Sequence, residues 1–401
     1  MTIIIGRFTP HLIVAATVAA ALLLSLAMVR AAPLPGDDDY NSAEFLLRHS
    51  WVKFTSVAAD SLRDDLSRDE EDVRVRRFFE LNVLIREQER IGGDPASPPA
   101  DAAQARALEE DLRAEREDLE NSVERILEGR LTSVVNESGL TRSYGGDVVW
   151  PPVSIEFEDP PAVLVKSPRN EIRKESQHLL RGDLPSARIE EIESDAEEDG
   201  ETSALVVNIG GIAMYPAIIP PSSDYHFVLQ DIAHEWLHHY LYFTPLGRRY
   251  YDSGELTTLN ETVANMAGRE LGDRLFELYP LAGAAAGPGS ASLAGNAIDF
   301  TAEMRGLRRE VELLLAAGQI DEAERRMDEK RTYLADNGHY IRRLNQAYFA
   351  FHGSYADGAG SIDPIGPKLD ELRANSASLE TFVERAREFT SVAALDLALA
   401  E

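Results

Sequence analysis

The chain contains no cysteine. Disulfides, zinc ribbons, iron–sulfur clusters and thiol nucleophiles are therefore excluded, and any zinc site must be assembled from histidine, aspartate and glutamate. Such a chain is also compatible with a compartment outside the reducing cytosol. Basic residues are scarce: 40 Lys and Arg stand against 69 Asp and Glu, a formal net charge of −29. That surplus argues against nucleic acid as a partner, because nothing here neutralises a run of phosphates. Anionic membrane surfaces are disfavoured for the same reason. No internal repeat is visible. Long apolar runs are confined to the N-terminus, where LIVAATVAAALLLSLAMV, residues 12–29, is 18 residues without a charge. It has the length of a single membrane-crossing helix and exceeds the apolar core of a secretory signal. The expectation is an N-terminal transmembrane anchor with the body extracytoplasmic. The small residues of VRAAP (29–33) leave a cleaved signal, and a secreted body, as the alternative.

What is present suits a folded protein of two or three domains: 401 residues, 44% of them hydrophobic. Residues 33–40, PLPGDDDY, read as a linker. A charged helical pattern runs from about 42 to 91, with Phe78, Leu81, Val83, Leu84 and Ile85 as apolar positions. GGDPASPP (92–99) breaks it, and a second helix is predicted over about 101–137, its apolar residues Leu108, Leu112, Leu119, Val123, Ile126 and Leu131 close to three-four spacing. Two helices about a Pro/Gly turn predict an antiparallel hairpin, flanking the next domain. VSIEFEDPPAVLVKSP (153–168) reads as strand–turn–strand, SDAEEDGE (194–201) as an exposed loop, and SALVVNIGGIAMYPAII (203–219) as strand, Gly-Gly break, strand. Helical patterns follow over the His-rich stretch and over about 255–279. LAGAAAGPGSASLAG (281–295) reads as a flexible loop, and about 298–401 is helical. The division is 1–32, 33–140, 141–295 and 296–401.

The chemistry concentrates in DIAHEWLHHYLYF, residues 231–243. His234, Glu235 and His238 make H-E-x-x-H. On a helix the two histidines share a face one turn apart, so both imidazoles reach one ion, and Glu235 projects beside them. His239 lies about 100° round the helix and is expected to be packed or hydrogen-bonded. Trp236, Leu237, Leu241 and Phe243 are expected to pack the helix into the core. A third protein ligand must come from elsewhere. LNETVAN (259–265) offers Glu261, 23 residues after His238. Asn265 shares its helical face and is placed to hydrogen-bond the outer nitrogen of His234 or His238.

HEWLH followed by NETVAN resembles the gluzincins, the thermolysin-like zinc metallopeptidases. The resemblance covers about 203–275. It implies one Zn2+ per chain held by His234, His238 and Glu261, with Glu235 as general base toward a zinc-activated water. Asn265 stands where that family usually has an aspartate. The resemblance also implies that a strand just upstream, in GGIAMYPAII (210–219), binds an extended peptide along Ala213–Ile218. The G-A-M-E-N motif of one aminopeptidase branch is absent, so free-amine recognition is not carried over. The rest of the chain resembles a group of membrane-attached bacterial predicted peptidases, and NQAYFAFHGSYA (345–356) is loosely similar to a segment of bacterial aminopeptidases.

Such a hydrolase also needs a donor to the oxyanion. Tyr355 and His352 are the candidates taken forward, with Tyr250 and Tyr251 behind them. Tyr348, His352 and Tyr355 also fit a single amphipathic face packed on the core. The expected fold is α+β and mostly helical: a zincin-like catalytic core of a small mixed sheet and two metal-binding helices, an N-terminal helical hairpin and a C-terminal helical region. The expected function is zinc-dependent peptide-bond hydrolysis, with a peptide or protein substrate. Two alternatives stand beside it: a non-catalytic membrane-tethered interaction protein with a structural or relic zinc site, and a zinc amidohydrolase acting on a non-peptide amide.

Overall fold

The computed structural model describes residues 36–46, 48–49, 66–94, 96–140, 149–281 and 298–400. Apolar segment 12–29 lies outside these residues, as does most of the loop expected at 281–295. Among the described residues no helix is long and apolar enough to cross a membrane. The expectation of a single-pass membrane protein is corrected to that extent: no described helix supplies the span.

The protein is mostly helical, with a small amount of sheet, an α+β arrangement. Helices α1 (Arg68–Gly93) and α2 (Pro99–Glu137) form the expected antiparallel hairpin. Ser67 opens α1 with a capping box, its side chain accepting from Glu70 N while Glu70 reaches back to Ser67 N. Pro99 starts α2, where its missing N–H costs nothing. Arg77 pairs with Glu115 at 2.7 Å across the seam. The hairpin is a flank, since Val75, Phe78, Val123 and Leu127 belong to the same core as the helices that follow. Each such side chain contributes about 1.5–3 kcal/mol by leaving water.

Among the described residues the strands form two separate sheets rather than one mixed sheet. β1 (Ile155–Phe157) pairs in parallel with β5 (Ala217–Ile219), Ile155 opposite Ala217. β2 (Ala162–Pro168) lies between β3 (Ser176–Leu180) and β4 (Thr202–Asn208), antiparallel to both, with Val165 opposite Gln177 and Leu205. The two strands expected in 153–168 are both present, on either side of the Pro pair, but β1 and β2 do not pair with each other. Pro160 and Pro161 between them carry no N–H with which to close a hairpin ladder. The run expected as an exposed acidic loop also has a task. Helix α3 (Ser186–Ala196) ends within it, and Glu193 and Glu197 accept from Val206 N and Ala204 N on the outer edge of β4. Arg342 and Asn345 donate to the carbonyls of the same two residues. Side chains thus satisfy an edge that would otherwise invite another strand.

Helices α4 (Tyr225–Tyr242) and α6 (Gly254–Leu278) cross in the centre of the core, joined by the single turn α5 (Pro245–Arg248). Asp224 and Ser253 cap the two long helices, accepting from Phe227 N and Leu256 N. Gly268 and Gly272 of α6 let the axes approach. A Cβ at Gly268 would sit 2.8 Å from His234 Cα, and one at Gly272 would sit 2.5 Å from Gln230 Cα. Both pairs are one turn apart on their helices, so this is a seam of backbone on backbone. Trp236, Leu237 and Leu241 are buried as expected, whereas Phe243 lies at the rim. Helices α7 (Phe300–Ala316) and α8 (Ile320–Asp336) have a core of their own around Met304, Val311 and Met327. Helix α9 (Gln346–His352) lies on β2, and α10 (Ile365–Ala374), α11 (Leu379–Ala386) and α12 (Val392–Leu399) return to the main core.

Candidate metal centre

The α4–α6 seam brings His234, His238 and Glu261 together. His238 Nε2 is 3.0 Å from His234 Nε2, and Glu261 Oε2 lies 3.4 Å from the former and 3.7 Å from the latter. Ligand bonds of about 2.0–2.1 Å put the donors of a tetrahedral zinc about 3.3 Å apart. The three atoms form a triangle of that size. Among the described residues Glu261 Oε2 is buried without a hydrogen-bond partner, although the carboxylate is buried deeply enough to need one. The donor set of two imidazoles and a carboxylate therefore fits a divalent transition metal, and among the described residues it is one of two clusters with ligand spacing. The other, Glu120, Glu124 and Glu156, contains carboxylates alone.

Neighbouring groups orient this set. His238 Nδ1–H donates to Asn260 Oδ1 at 3.1 Å, which turns Nε2 toward the triad. Asn260 is 1% exposed. The sequence reading assigned that role to Asn265, and the structure corrects it. Asn265 instead donates to both carboxylate oxygens of Asp357, at 2.8 and 3.1 Å. The signal for Asn260 was its place immediately before Glu261, which turns its side chain about 100° round α6, toward His238. Tyr250 donates its hydroxyl to Glu261 Oε1. Burial opposes the charge on Glu261, but His238 and Tyr250 outweigh it and hold the carboxyl down at about 2. Burial likewise opposes the His238 cation, yet Glu261 holds its pKa up at about 9. His234 is pushed down to about 3 by burial and by the neighbouring His238.

Glu235 is buried beside the triad, and burial, reinforced by Asp231 and Glu261, raises its pKa well above the carboxylate range. Gly211 lies against it: a Cβ there would be 2.8 Å from Glu235 Oε1. His239 takes no part in the triad and donates from Nε2 to Met214 O at 2.7 Å.

Tyr355 reaches the site, its ring centroid 6.3 Å from that of His234. Glu261, then burial, raises its phenol well above the usual range. It does not share a helical face with Tyr348 and His352, because α9 stops at His352 and Gly353 caps it. The segment after the cap is tied to α6 instead: Ala356 N donates to Thr262 Oγ1 at 3.0 Å, and Asp357 takes Asn265 and Arg269. His352 lines the same cleft, with its ring packed on Tyr348 at 4.2 Å and its pKa lowered to about 4 by burial.

The triad opens on a cleft of about 1560 Å3, whose walls come from β3, residues 208–215, α4, α6 and the segment around Tyr355. Residues 41–43 line its rim. Lys174 also faces it and makes no ion pair among the described residues; burial lowers its pKa while Glu261 acts to raise it. The edge expected at Ala213–Ile218 is not free. Ile212 and Ile218 exchange both backbone hydrogen bonds, at 3.2 and 3.1 Å, and β1 occupies the other side. Ile209, Gly210 and Gly211 line the cleft and make no backbone–backbone hydrogen bond among the described residues.

No protein-family model, curated protein or solved structure matches the chain.

Proposed function

We propose that the protein is a zinc-dependent metallopeptidase, with α4, α6 and the small sheets as a zincin-like core. The observation that carries this reading is the triangle of His234 Nε2, His238 Nε2 and Glu261 Oε2, with separations of 3.0–3.7 Å, beside the buried carboxylate of Glu235. A bound zinc would acidify a water and polarise the carbonyl to be attacked. Glu235 has no place in a purely structural site. A carboxylate beside the triad suits a group that takes a proton from the attacking water and returns it to the leaving nitrogen. Tyr355 supplies a neutral hydroxyl at the cleft side of the triad, suited to donate to the developing oxyanion. An extended peptide is best accommodated along Ile209–Gly211, where backbone groups face the cleft, rather than along Ala213–Ile218.

Elemental analysis of the wild-type protein together with Glu235→Gln tests the reading. About one zinc per chain in both, with peptide hydrolysis lost only in the variant, is the expected result. Unchanged hydrolysis by Glu235→Gln, or a protein that takes up no zinc when it is supplied, would remove its basis.

A further inference from the structure

Among the described residues three carboxylates line the cleft, those of Asp231, Glu235 and Glu261. The metallopeptidase reading uses two of them and leaves Asp231. This residue stands one turn before Glu235 on α4, so the two side chains share a face, with Cβ atoms about 5–6 Å apart. Gly210 and Gly211 lie over the pair. A Cβ at Gly210 would be 3.4 Å from Asp231 Oδ1, as one at Gly211 would be 2.8 Å from Glu235 Oε1. Asp231 Oδ2 is buried and accepts no hydrogen bond from any described residue. A buried carboxylate oxygen without a donor is costly, and burial pushes this carboxyl up to about 7. A cationic N–H donor brought by a ligand would relieve that cost with a charge-assisted bond of about 2.8 Å.

We propose that Asp231 is a specificity-determining residue that receives a cationic nitrogen of the substrate, close to the bond on which Glu235 acts. The proposal rests on the metallopeptidase reading for the position of that bond. A nitrogen held by Asp231 lies next to Glu235, which stands one turn on along the same face of α4. Two groups meet that requirement: the free α-ammonium of the residue that owns the scissile carbonyl, and the side-chain ammonium of a neighbouring lysine. Both are primary ammonium groups, and neighbouring Gly210 leaves room for either.

Four compounds separate these sources: leucinamide, N-acetyl-leucinamide, N-acetyl-lysinamide and N-acetyl-norleucinamide. Their binding to the full chain is measured by calorimetry at pH 7, with and without zinc, for wild type and Asp231→Asn. Wild type is expected to bind one cationic compound about tenfold or more tightly than its neutral counterpart, the range of one charge-assisted bond. Leucinamide over its acetylated form identifies the α-ammonium; acetyl-lysinamide over acetyl-norleucinamide identifies the side chain. In Asp231→Asn the preference should fall below about twofold, with the neutral affinities unchanged. Equal binding of all four by wild type overturns the proposal, as does no binding of either cationic compound at millimolar concentration, or a preference that survives the substitution. The wild-type comparison stands even if the variant folds poorly. Zinc content is read separately. Zinc without a cation preference sinks this proposal alone, and a cation preference without zinc uptake sinks the metallopeptidase reading alone.

Discussion

Asn265 donates its side-chain amide to both oxygens of Asp357, at 2.8 and 3.1 Å, and so ties the segment that follows Tyr355 to the helix that carries Glu261. Thr262 and Arg269, one turn either side on α6, hold the same segment through Ala356 N and Asp357. Asn265→Asp replaces the donor with a second carboxylate, and the two repel. The loop should loosen by about 1–3 kcal/mol, the cost of losing a buried bond to a charged group. The expected outcome is a normal zinc content with turnover reduced through a lower kcat. Parallel metal analysis and kinetics check it. Zinc loss at unchanged kcat would return Asn265 to the histidines.

Tyr355 and Tyr250 both approach Glu261, yet their removal should read differently. Tyr250→Phe strips the donor from Glu261 Oε1 and leaves that buried oxygen unsatisfied. Zinc affinity and thermal stability should both fall, stability by about 1–3 kcal/mol. Tyr355→Phe should leave zinc in place and lower kcat about a hundred- to a thousandfold, with little change in KM, as expected on losing one oxyanion donor. A titration with a chelator, beside steady-state kinetics, distinguishes the two.

Gly268→Ala tests the helix seam. The added methyl meets His234 N and Cα at 2.9 and 2.8 Å, and backbone atoms cannot rotate away. The helices must part, at a cost of about 1–3 kcal/mol for overpacking. Because α4 carries both histidines and α6 carries Glu261, zinc affinity should fall with the melting temperature. Gly254→Ala, where an added Cβ meets nothing within 4 Å, is the control.

His49 gives a pH signature away from the His234, His238 and Glu261 triad. Burial opposes its charge, but Glu156 at 2.8 Å and Glu158 at 3.1 Å outweigh it and raise its pKa to about 9. A raised pKa favours the folded state while the imidazole is charged. The contribution is therefore complete below about pH 6.5, declines above that, and is lost as pH passes about 9. It is on the order of 3 kcal/mol at most, from the size of the shift. Thermal unfolding of wild type and His49→Gln between pH 6 and 10 checks this: the wild-type advantage should be largest at pH 6 and vanish by pH 10.

Much of the candidate metal centre was legible in the sequence because its signals are local. H-E-x-x-H declares a shared helical face through the 3.6-residue period, and the Pro/Gly break at 92–99 declares the hairpin turn. Glu261 could be proposed because it sits on a second periodic helix. What no spacing states is how two helices rotate against each other. That angle turned Asn260 toward His238 and sent Asn265 to Asp357. It depends on Gly268 and Gly272 meeting the backbone of α4, a contact between residues more than thirty positions apart. The pairing of β1 with β5, which occupies one side of Ala217–Ile219, and the stop of α9 that frees Tyr355 are likewise products of long-range packing. The sequence by itself determined the donor types, their helical register and the exclusion of thiol chemistry, since each follows from composition and local period. Only the tertiary structure decided which neighbours hold the donors, which edge faces the cleft and which carboxylate is left without a partner, because those depend on the free energy of burying one element against another.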